Sequence, residues 1–345
     1  PTATVAVIGA GPVGLAAAAH LVERGLTPIV LEAGDGPGAA IAQWGHVRLF
    51  SPWHFDIDAA ARRLLEAQGW IAPDPDGLPT GHELIDAYLA PPAKTTKQSP
   101  NIRYATEVAA LSRLGEDKTR NIDREGRPYL VRTSTTTGEW DDLVVDAVID
   151  ASGTWSRRNS LGAHGLAAPG EDHTAPWAAG PLPGVLGTAR DQFAGKRTLV
   201  VGMGHSAANT LLNLARLAEQ EAGTAVTWAI RGDSPNRLYG GGSADALPAR
   251  GTIGTRLHEL VESGAIELVT GFTIDRFTPH DPPSTGPNIL AWPERSHHQI
   301  GGAAARLATV FPVLVAYHDW LRDWRTWPDG SYWTTGLASG MDNQS

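Results

Sequence analysis

The stretch "VAVIGAGPVGLAAAAHLV", residues 5–22, decides the fold class. It is apolar enough to suggest a membrane span, but a spanning helix needs about 20 apolar residues without breakers. The spacing Gly9-x-Gly11-x-x-Gly14 interrupts the run. The residues before the glycines are β-branched and favour a buried strand, whereas those after them are alanine-rich and favour a helix. The glycines are therefore predicted to form a strand-to-helix turn.

A turn with this spacing is suited to binding a diphosphate. Gly9 permits the tight turn, Gly11 lets a pyrophosphate approach the backbone, and Gly14 lets the helix pack closely on the strand. Pro12 and Val13 lie between the second and third glycines, where the helix begins. Free N–H groups at that helix N-terminus would face the phosphates.

An acidic residue follows at the distance expected for a dinucleotide site. The second apolar run, residues 28–31, leads into Glu32. A carboxylate about 20 residues after such a turn accepts hydrogen bonds from ribose hydroxyls. The alternative is a plain βα turn that binds no nucleotide, but the combination of turn, strand and acid favours a dinucleotide.

The stretch "TLVVGMGHSAANTLLNLA", residues 198–215, repeats this pattern. A strand over 198–201 leads to the turn Gly202-x-Gly204-x-x-Ala207 and to a helix over 207–218. This pattern predicts a second dinucleotide site. Its candidate binding residues are Gly202, Gly204, His205, Ser206 and Ala207.

The strand after the second turn, residues 225–230, leads into Arg231 instead of an acid. An arginine at this position can pair bidentately with a 2′-phosphate. It therefore favours NADPH over NADH. The alternative is an exposed surface arginine at a strand end.

The composition excludes several other function classes. The formal net charge of −9 does not favour a nucleic-acid partner. The chain has no cysteine, which excludes disulfides, thiolate metal sites and a catalytic dithiol. Its twelve histidines include no His-Glu-x-x-His spacing, so no metal site is expected. Since we recognise neither a signal peptide nor a membrane span, we expect a cytoplasmic protein.

Four stretches carry a resemblance to a known family. They are "VIGAGPVGLAAA" with Glu32, "GPGAAIAQWGHVRLFSPW" (36–53), "DASGTW" (150–155) and "VVGMGHSAA". In these stretches the sequence resembles the two-dinucleotide-binding flavoproteins of the glutathione-reductase-like superfamily. More narrowly, it is similar to bacterial flavin-containing monooxygenases that use FAD and NADPH.

The resemblance implies an α/β fold with two Rossmann-like domains, the first built in three layers of ββα/βαβ type. Residues 1–160 would form the FAD-binding domain and residues 195–277 the NADPH-binding domain. Residues 278–345 form an atypical segment with five tryptophans, which we expect to replace or cap the end of the FAD domain.

Further site residues follow from the same resemblance. Its stretches place Trp44, Arg48, Ser152 and Gly153 beside FAD. The resemblance also places Val108, at the end of a strand over 102–108, where the family's backbone clamps the adenine, and core packing is a compatible alternative for this residue. Arg48 and His46 are the candidates for a role beside the flavin ring or the substrate, with ordinary polar contacts as the alternative. No catalytic residue is assigned beyond these two.

The expected function is an FAD-dependent, NADPH-consuming monooxygenase. Reduced flavin would react with molecular oxygen to form a flavin hydroperoxide, which would oxygenate a small-molecule substrate. One alternative is a flavin-dependent NADPH oxidase or reductase with another acceptor. Another is a non-catalytic dinucleotide-binding or interaction protein. A homo-oligomer is left open.

Overall fold

The computed structural model describes residues 2–94, 101–117, 119, 123–278 and 288–291. The described residues up to Ala291 form one compact unit. The five tryptophans of the C-terminal segment lie outside the described residues.

Strands and helices alternate along much of the chain. The strands are β1 (Thr4–Ile8), β2 (Thr27–Leu31), β3 (Ile102–Arg103), β4 (Thr106–Arg113), β5 (Tyr129–Thr135), β6 (Trp140–Val145), β7 (Ala147–Asp150), β8 (Arg197–Val201), β9 (Ala225–Ala229), β10 (Glu267–Val269), β11 (Ile274–Thr278) and β12 (Asn288–Ala291). The helices are α1 (Pro12–Glu23), α2 (Ala39–Ala42), α3 (Trp53–Asp56), α4 (Ala59–Glu66), α5 (Gly81–Leu84), α6 (Ala90–Ala93), α7 (Arg190–Phe193), α8 (His205–Gln220), α9 (Asn236–Tyr239) and α10 (Pro248–Glu262).

The first parallel sheet has the strand order β3-β2-β1-β7. β1 pairs in parallel with β2 on one side and with β7 on the other. The strands β2 and β7 therefore lie on opposite sides of β1, and the strand order reverses at β1. In open α/β sheets a ligand binds beyond the carboxyl ends of the strands at such a reversal. The first glycine turn follows β1 directly and lies at this point.

Side chains on the two faces of this sheet enter different cores. Ala6 and Leu31 pack against Val131 and Val145 of the antiparallel sheet β4-β5-β6. Their chain neighbours Val7 and Val30 pack on the opposite side, against helices that include α1 and α4. The parallel sheet is thus the middle of three layers. The predicted α/β fold class is confirmed.

A second parallel sheet, of order β10-β9-β8, supports the second glycine turn. α8 and α10 cover it, and their leucines share one core with the strands. Trp228 of β9 is fully buried in this core.

Two strands that the sequence predicts as continuous are broken in the structure. The apolar run over residues 143–149 predicts one strand. In the structure it divides at Asp146 into β6 and β7, which belong to different sheets. The Asp146 carboxylate accepts a hydrogen bond from Thr4 N (2.7 Å) where the chain changes sheets. The strand expected over 102–108 divides at Ala105, whose φ is +49°. Ala105 N donates to Gly34 O (2.9 Å), which holds this kink in place.

The stretch "PTGHELIDAYL", residues 79–89, predicts a helix that starts with a capping box of Thr80 and Glu83. In the structure the helix begins as predicted and then changes form. Thr80 and Glu83 form the predicted capping box, with both reciprocal hydrogen bonds present. After α5, residues Ile85–Leu89 form a π-helical turn. Pro91 has no N–H to donate to Ala87 O, and the Trp70 indole N–H donates to that carbonyl instead (2.9 Å).

Gly254 of α10 is expected to resist replacement by alanine. A Cβ at this position would overlap Tyr239 O and lie 2.6 Å from Tyr239 C. Alanine would otherwise gain about 1 kcal/mol of helix propensity. The backbone atoms of Tyr239 can move away only at a cost in free energy, and this cost exceeds the gain in helix propensity. Gly254→Ala should therefore destabilise the protein by about 1–3 kcal/mol. Urea unfolding measures this, with Gly126→Ala, where a Cβ meets open space, as the control. A stabilised Gly254→Ala variant would contradict the packing of α10.

Candidate functional site

Three hydrogen bonds hold the first glycine turn, two between backbone groups and one from the backbone to a side chain. Gly9 N donates to Leu31 O (2.7 Å), and Gly38 N donates to Ala10 O (3.0 Å). Ala10 N donates to a carboxylate oxygen of Glu32 (2.6 Å). The turn is thus fixed to the end of β2 and to the segment before α2.

The space around the three glycines differs in the way that the sequence predicts. Gly9 has a φ of +99°, and a Cβ at Gly14 would overlap Gly9 O. Around Gly11, in contrast, an added Cβ would meet no atom within 4 Å. No side chain caps α1 within the described part of the chain. The first amides of a helix lack partners inside the helix. An anion can therefore approach them over Gly11.

Glu32 lies at the end of β2 beside this turn. One carboxylate oxygen accepts from Ala10 N, and the other accepts from Gly34 N (2.8 Å). A carboxylate has about four lone-pair positions, so it can also accept from ribose hydroxyls. Burial, and to a smaller extent the charge of Glu32, raises the pKa of the nearby Tyr104.

The flavin-lining stretches predicted around residues 36–53 and 150–155 meet in the structure. The Trp155 indole N–H donates to Gln43 Oε1 (3.0 Å), and the rings of Trp44 and Trp155 are 6.3 Å apart. Sequence reasoning did not identify this contact, because no local pattern links residues so far apart.

Ser152 and Gly153 continue the chain beyond β7. The backbone N–H and hydroxyl of Ser152 both donate to Asp150 Oδ1, and these bonds lower the pKa of Asp150. Gly153 has a φ of +70° and open space around it. A Cβ at Gly9 would lie 2.7 Å from Ala151 O, so this segment borders the glycine turn directly.

The two candidates for a role beside the flavin ring are both exposed. The Arg48 guanidinium donates to Leu78 O and lies 3.6 Å from Glu83 Oε2. These contacts correspond to the ordinary polar role that was the alternative for Arg48. His46 is exposed and no hydrogen bond of its side chain is seen within the described residues. Val108 of β4 is half-buried and contributes to the core between the two sheets.

Asp56 is a half-buried carboxylate that sequence reasoning missed. Its Oδ1 accepts a hydrogen bond from Ser51 Oγ (2.7 Å), and its Oδ2 is buried without a partner among the described residues. Burial raises the pKa of Asp56, while Ser51 and His54 oppose the shift. No sequence signal distinguishes this aspartate, since its burial depends on the tertiary fold.

The second turn presents open backbone in a similar way. Gly202 has a φ of +118°, and added Cβ atoms at Gly202 and Gly204 would meet no atom within 4 Å. Within the described residues no side chain caps α8. His205 and Ser206, the first two residues of the helix, are exposed. The Trp228 indole N–H holds the turn by donating to Gly202 O (2.7 Å).

Ala207 takes the place of the third glycine in the second turn. It is half-buried and packs against the core of the second sheet. A methyl group therefore fits where the first turn admits only hydrogen.

The register of the second sheet shifts Arg231 by one residue relative to the sequence interpretation. Ile8 pairs with Leu31 in the first sheet, and Val201 pairs with Ala229 in the second. The residue that corresponds to Glu32 is therefore Ile230, which is only 1% exposed and belongs to the core. A charged side chain is excluded from that position, and the exposed Arg231 follows it.

Within the described ranges, no group of three or more His, Asp or Glu side chains is arranged to hold a metal ion. No helix in the same ranges is long and apolar enough to cross a membrane.

Two family models match separate parts of the chain. Residues 4–83 match the family described as FAD dependent oxidoreductase. Residues 262–345 match the family described as mannosylglycerate hydrolase MGH1-like glycoside hydrolase domain. The first match contains the Gly9–Gly14 turn and Glu32.

A curated relative is indole-3-pyruvate monooxygenase YUCCA6 of Arabidopsis thaliana, which is 29% identical over 220 residues. The match covers 62% of this chain and 45% of that protein, so the chain spans less than half the length of this relative.

Solved structures share the fold. The bacillithiol disulfide reductase Bdr (YpdA) of Bacillus cereus superposes with a TM-score of 0.57 at 20% identity, over 86% of this chain and 74% of that one. The cadaverine monooxygenase DfoA of Erwinia amylovora superposes with a TM-score of 0.52 at 14% identity, over 85% and 76%. These likenesses concern the fold alone. The match of residues 4–83 and the likeness to YUCCA6 confirm the resemblance to FAD-dependent flavoproteins.

Proposed function

We propose that the chain is an FAD-dependent, NADPH-consuming oxidoreductase, and specifically a monooxygenase that acts on a small molecule with molecular oxygen. The observation that carries this proposal is the presence of two strand–turn–helix units in which an added Cβ at Gly11 or Gly204 would meet open space. Each turn leaves helix amides exposed to an anion.

The residues at the first turn fit FAD. The amides at the start of α1 would bind the diphosphate over Gly11, and Glu32 would accept hydrogen bonds from the ribose. The segment that contains Ser152 and Gly153 borders the same turn, and Trp44 contacts this segment through Trp155. Bound flavin supplies the redox chemistry, so the protein needs to bind, orient and shield it.

The residues at the second turn fit NADPH. Exposed amides of His205, Ser206 and Ala207 would bind its diphosphate. Arg231 is exposed at the end of β9, and within the described residues no ion pair of its side chain is seen. It is therefore available for the 2′-phosphate, which an acid at this position would repel.

The assignment as a monooxygenase is more specific than the assignment as an oxidoreductase, and similarity to a named monooxygenase supports it. The relative YUCCA6 bears the name of a monooxygenase. A flavin-dependent NADPH oxidase or reductase with another acceptor would use the same two turns. A non-catalytic dinucleotide-binding protein would retain the turns without redox activity. The substrate is left unassigned.

No residue of the C-terminal segment is assigned a role in the proposed reaction. Residues 278–345 were expected to replace or cap the end of the FAD domain, and this stays a prediction. The match of residues 262–345 to a glycoside hydrolase family favours the interpretation that the segment differs in origin from the flavin domain. The domain limits 1–160 and 195–277 also stay predictions.

Anaerobic addition of NADPH tests the proposed function. The purified protein should be yellow, and its visible flavin absorbance should bleach with NADPH and return when air is admitted. A colourless protein that does not take up added FAD would contradict the proposal. Oxygenated product separates a monooxygenase from an oxidase, which releases only peroxide.

Gly11→Ala should lose FAD while remaining folded. The new methyl group meets no protein atom within 4 Å, but it occupies the space through which the diphosphate reaches the backbone. Flavin content after purification measures binding, and thermal unfolding of the apoprotein measures folding. Gly14→Ala is the matched variant, and it should unfold at lower temperature because its methyl group overlaps Gly9 O. If Gly11→Ala retains its full flavin content, the diphosphate does not bind over Gly11.

Arg231→Ala should weaken the use of NADPH selectively. Loss of a charge-assisted contact to the 2′-phosphate should raise the KM for NADPH about tenfold or more. The KM for NADH, which lacks that phosphate, should change little. The neighbouring exposed Arg237→Ala serves as the control. Equal changes for both nucleotides would remove the phosphate role from Arg231.

A further inference from the structure

An aromatic contact joins the segment that follows the first site to the second glycine turn. The rings of Phe50 and His205 have centroids 4.9 Å apart and are tilted by 44°. Phe50 lies in the stretch that resembles the flavin-lining segment, and His205 is the first residue of α8. The contact therefore links the two strand–turn–helix units through their binding ends.

Phe50 extends from a backbone that is fixed on both sides. Leu49 N donates to Pro79 O (2.8 Å), and Arg48 forms a β-bridge with Thr80. On the other side, Ser51 Oγ donates to Asp56 Oδ1. The ring is half-buried. These attachments fix the backbone that carries the Phe50 ring.

His205 is fixed by the first turn of a long helix. Its carbonyl accepts a hydrogen bond from Asn209 Nδ2 (3.0 Å), and Ala208 N donates to Gly204 O (3.1 Å). The amides that follow His205 are those proposed to bind the NADPH diphosphate. Because the backbone of His205 is held in this way, a shift of the second turn would move the ring relative to Phe50.

A separate attachment joins the segment that follows β7 to β11. Gly162 forms a parallel bridge with Ile274 of β11, and Phe277 N donates to Pro169 O (2.8 Å). One attachment alone leaves rotation about it. A second contact at the binding ends restricts that rotation, and with it the separation of the two turns.

We propose that Phe50 and His205 are positioning residues that set the distance between the bound hydride donor and the flavin. This inference rests on the proposed function. Rates of such transfers depend steeply on placement, and a misplacement of about 1 Å can cost about a hundredfold. The ring pair should therefore affect hydride transfer much more than it affects the binding of either nucleotide.

The first experiment tests the contact in the nucleotide-free protein. In the NMR spectrum, the His205 ring protons should shift when Phe50→Leu removes the aromatic ring current, and they should keep nearly the wild-type shift in Phe50→Tyr. Phe55→Leu, which removes an exposed phenylalanine on the same segment, is the control. Unchanged His205 shifts in Phe50→Leu would show that the rings do not meet, and this would overturn the inference.

The second experiment measures flavin reduction by NADPH without oxygen in a single turnover. Phe50→Leu and His205→Leu should each slow reduction about tenfold, while the Kd values for FAD and NADP⁺ change less than about twofold. Phe50→Tyr should restore the rate. The double variant should be no slower than the slower single variant, since both changes remove one contact. Thermal unfolding shows that the variants are folded.

Three outcomes would overturn the inference. Multiplying effects in the double variant, wild-type rates in both single variants, or a loss confined to nucleotide affinity would each exclude a positioning role. If wild-type protein binds no flavin, the proposed function fails and the inference falls with it. If wild-type protein bleaches with NADPH but the ring variants bleach equally fast, the inference alone fails.

Discussion

The structure of the first site depends on one steric constraint, the absence of a side chain at Gly14. A Cβ there would overlap Gly9 O, so only glycine lets α1 lie against the start of its own turn. This close approach lets the helix begin at Pro12, beyond the carboxyl end of β1. The sheet order reverses at that strand, where α/β proteins bind their ligands. Glycine at position 14 is therefore required both for the packing of α1 and for the placement of the amides that would bind an anion.

The second turn meets the same requirement by other means. Ala207 replaces the third glycine, and the strict overlap of the first turn is absent there. The buried Trp228 instead anchors the turn through its hydrogen bond to Gly202 O. A hydrogen bond of this kind contributes about 1 kcal/mol, less than the cost of a backbone overlap. The packing of α1 on the first turn thus requires glycine, whereas the second turn accepts alanine and is anchored to its core by Trp228.

Local signals in the sequence predicted much of the fold, and tertiary contacts account for what they missed. The glycine turns and the capping box at Thr80 depend on residues a few positions apart, so the pattern alone was sufficient. The strand breaks at Ala105 and Asp146 depend on hydrogen bonds to Gly34 and Thr4. The register of β8 with β9 makes Ile230, and not Arg231, the residue of the second sheet that corresponds to Glu32 of the first. No local pattern contains that information.

The same distinction applies to the candidate site residues. The family resemblance suggested Arg48 as a residue beside the flavin ring, and this stays a prediction; in the structure its guanidinium donates to Leu78 O and lies 3.6 Å from Glu83 Oε2. The carboxylate of Asp56, which no pattern identified, is the group whose pKa burial raises in this segment. When a bound cofactor performs the reaction, the protein contributes mainly backbone amides and fixed distances. The spacing of glycines therefore carries more information about function here than the positions of reactive side chains.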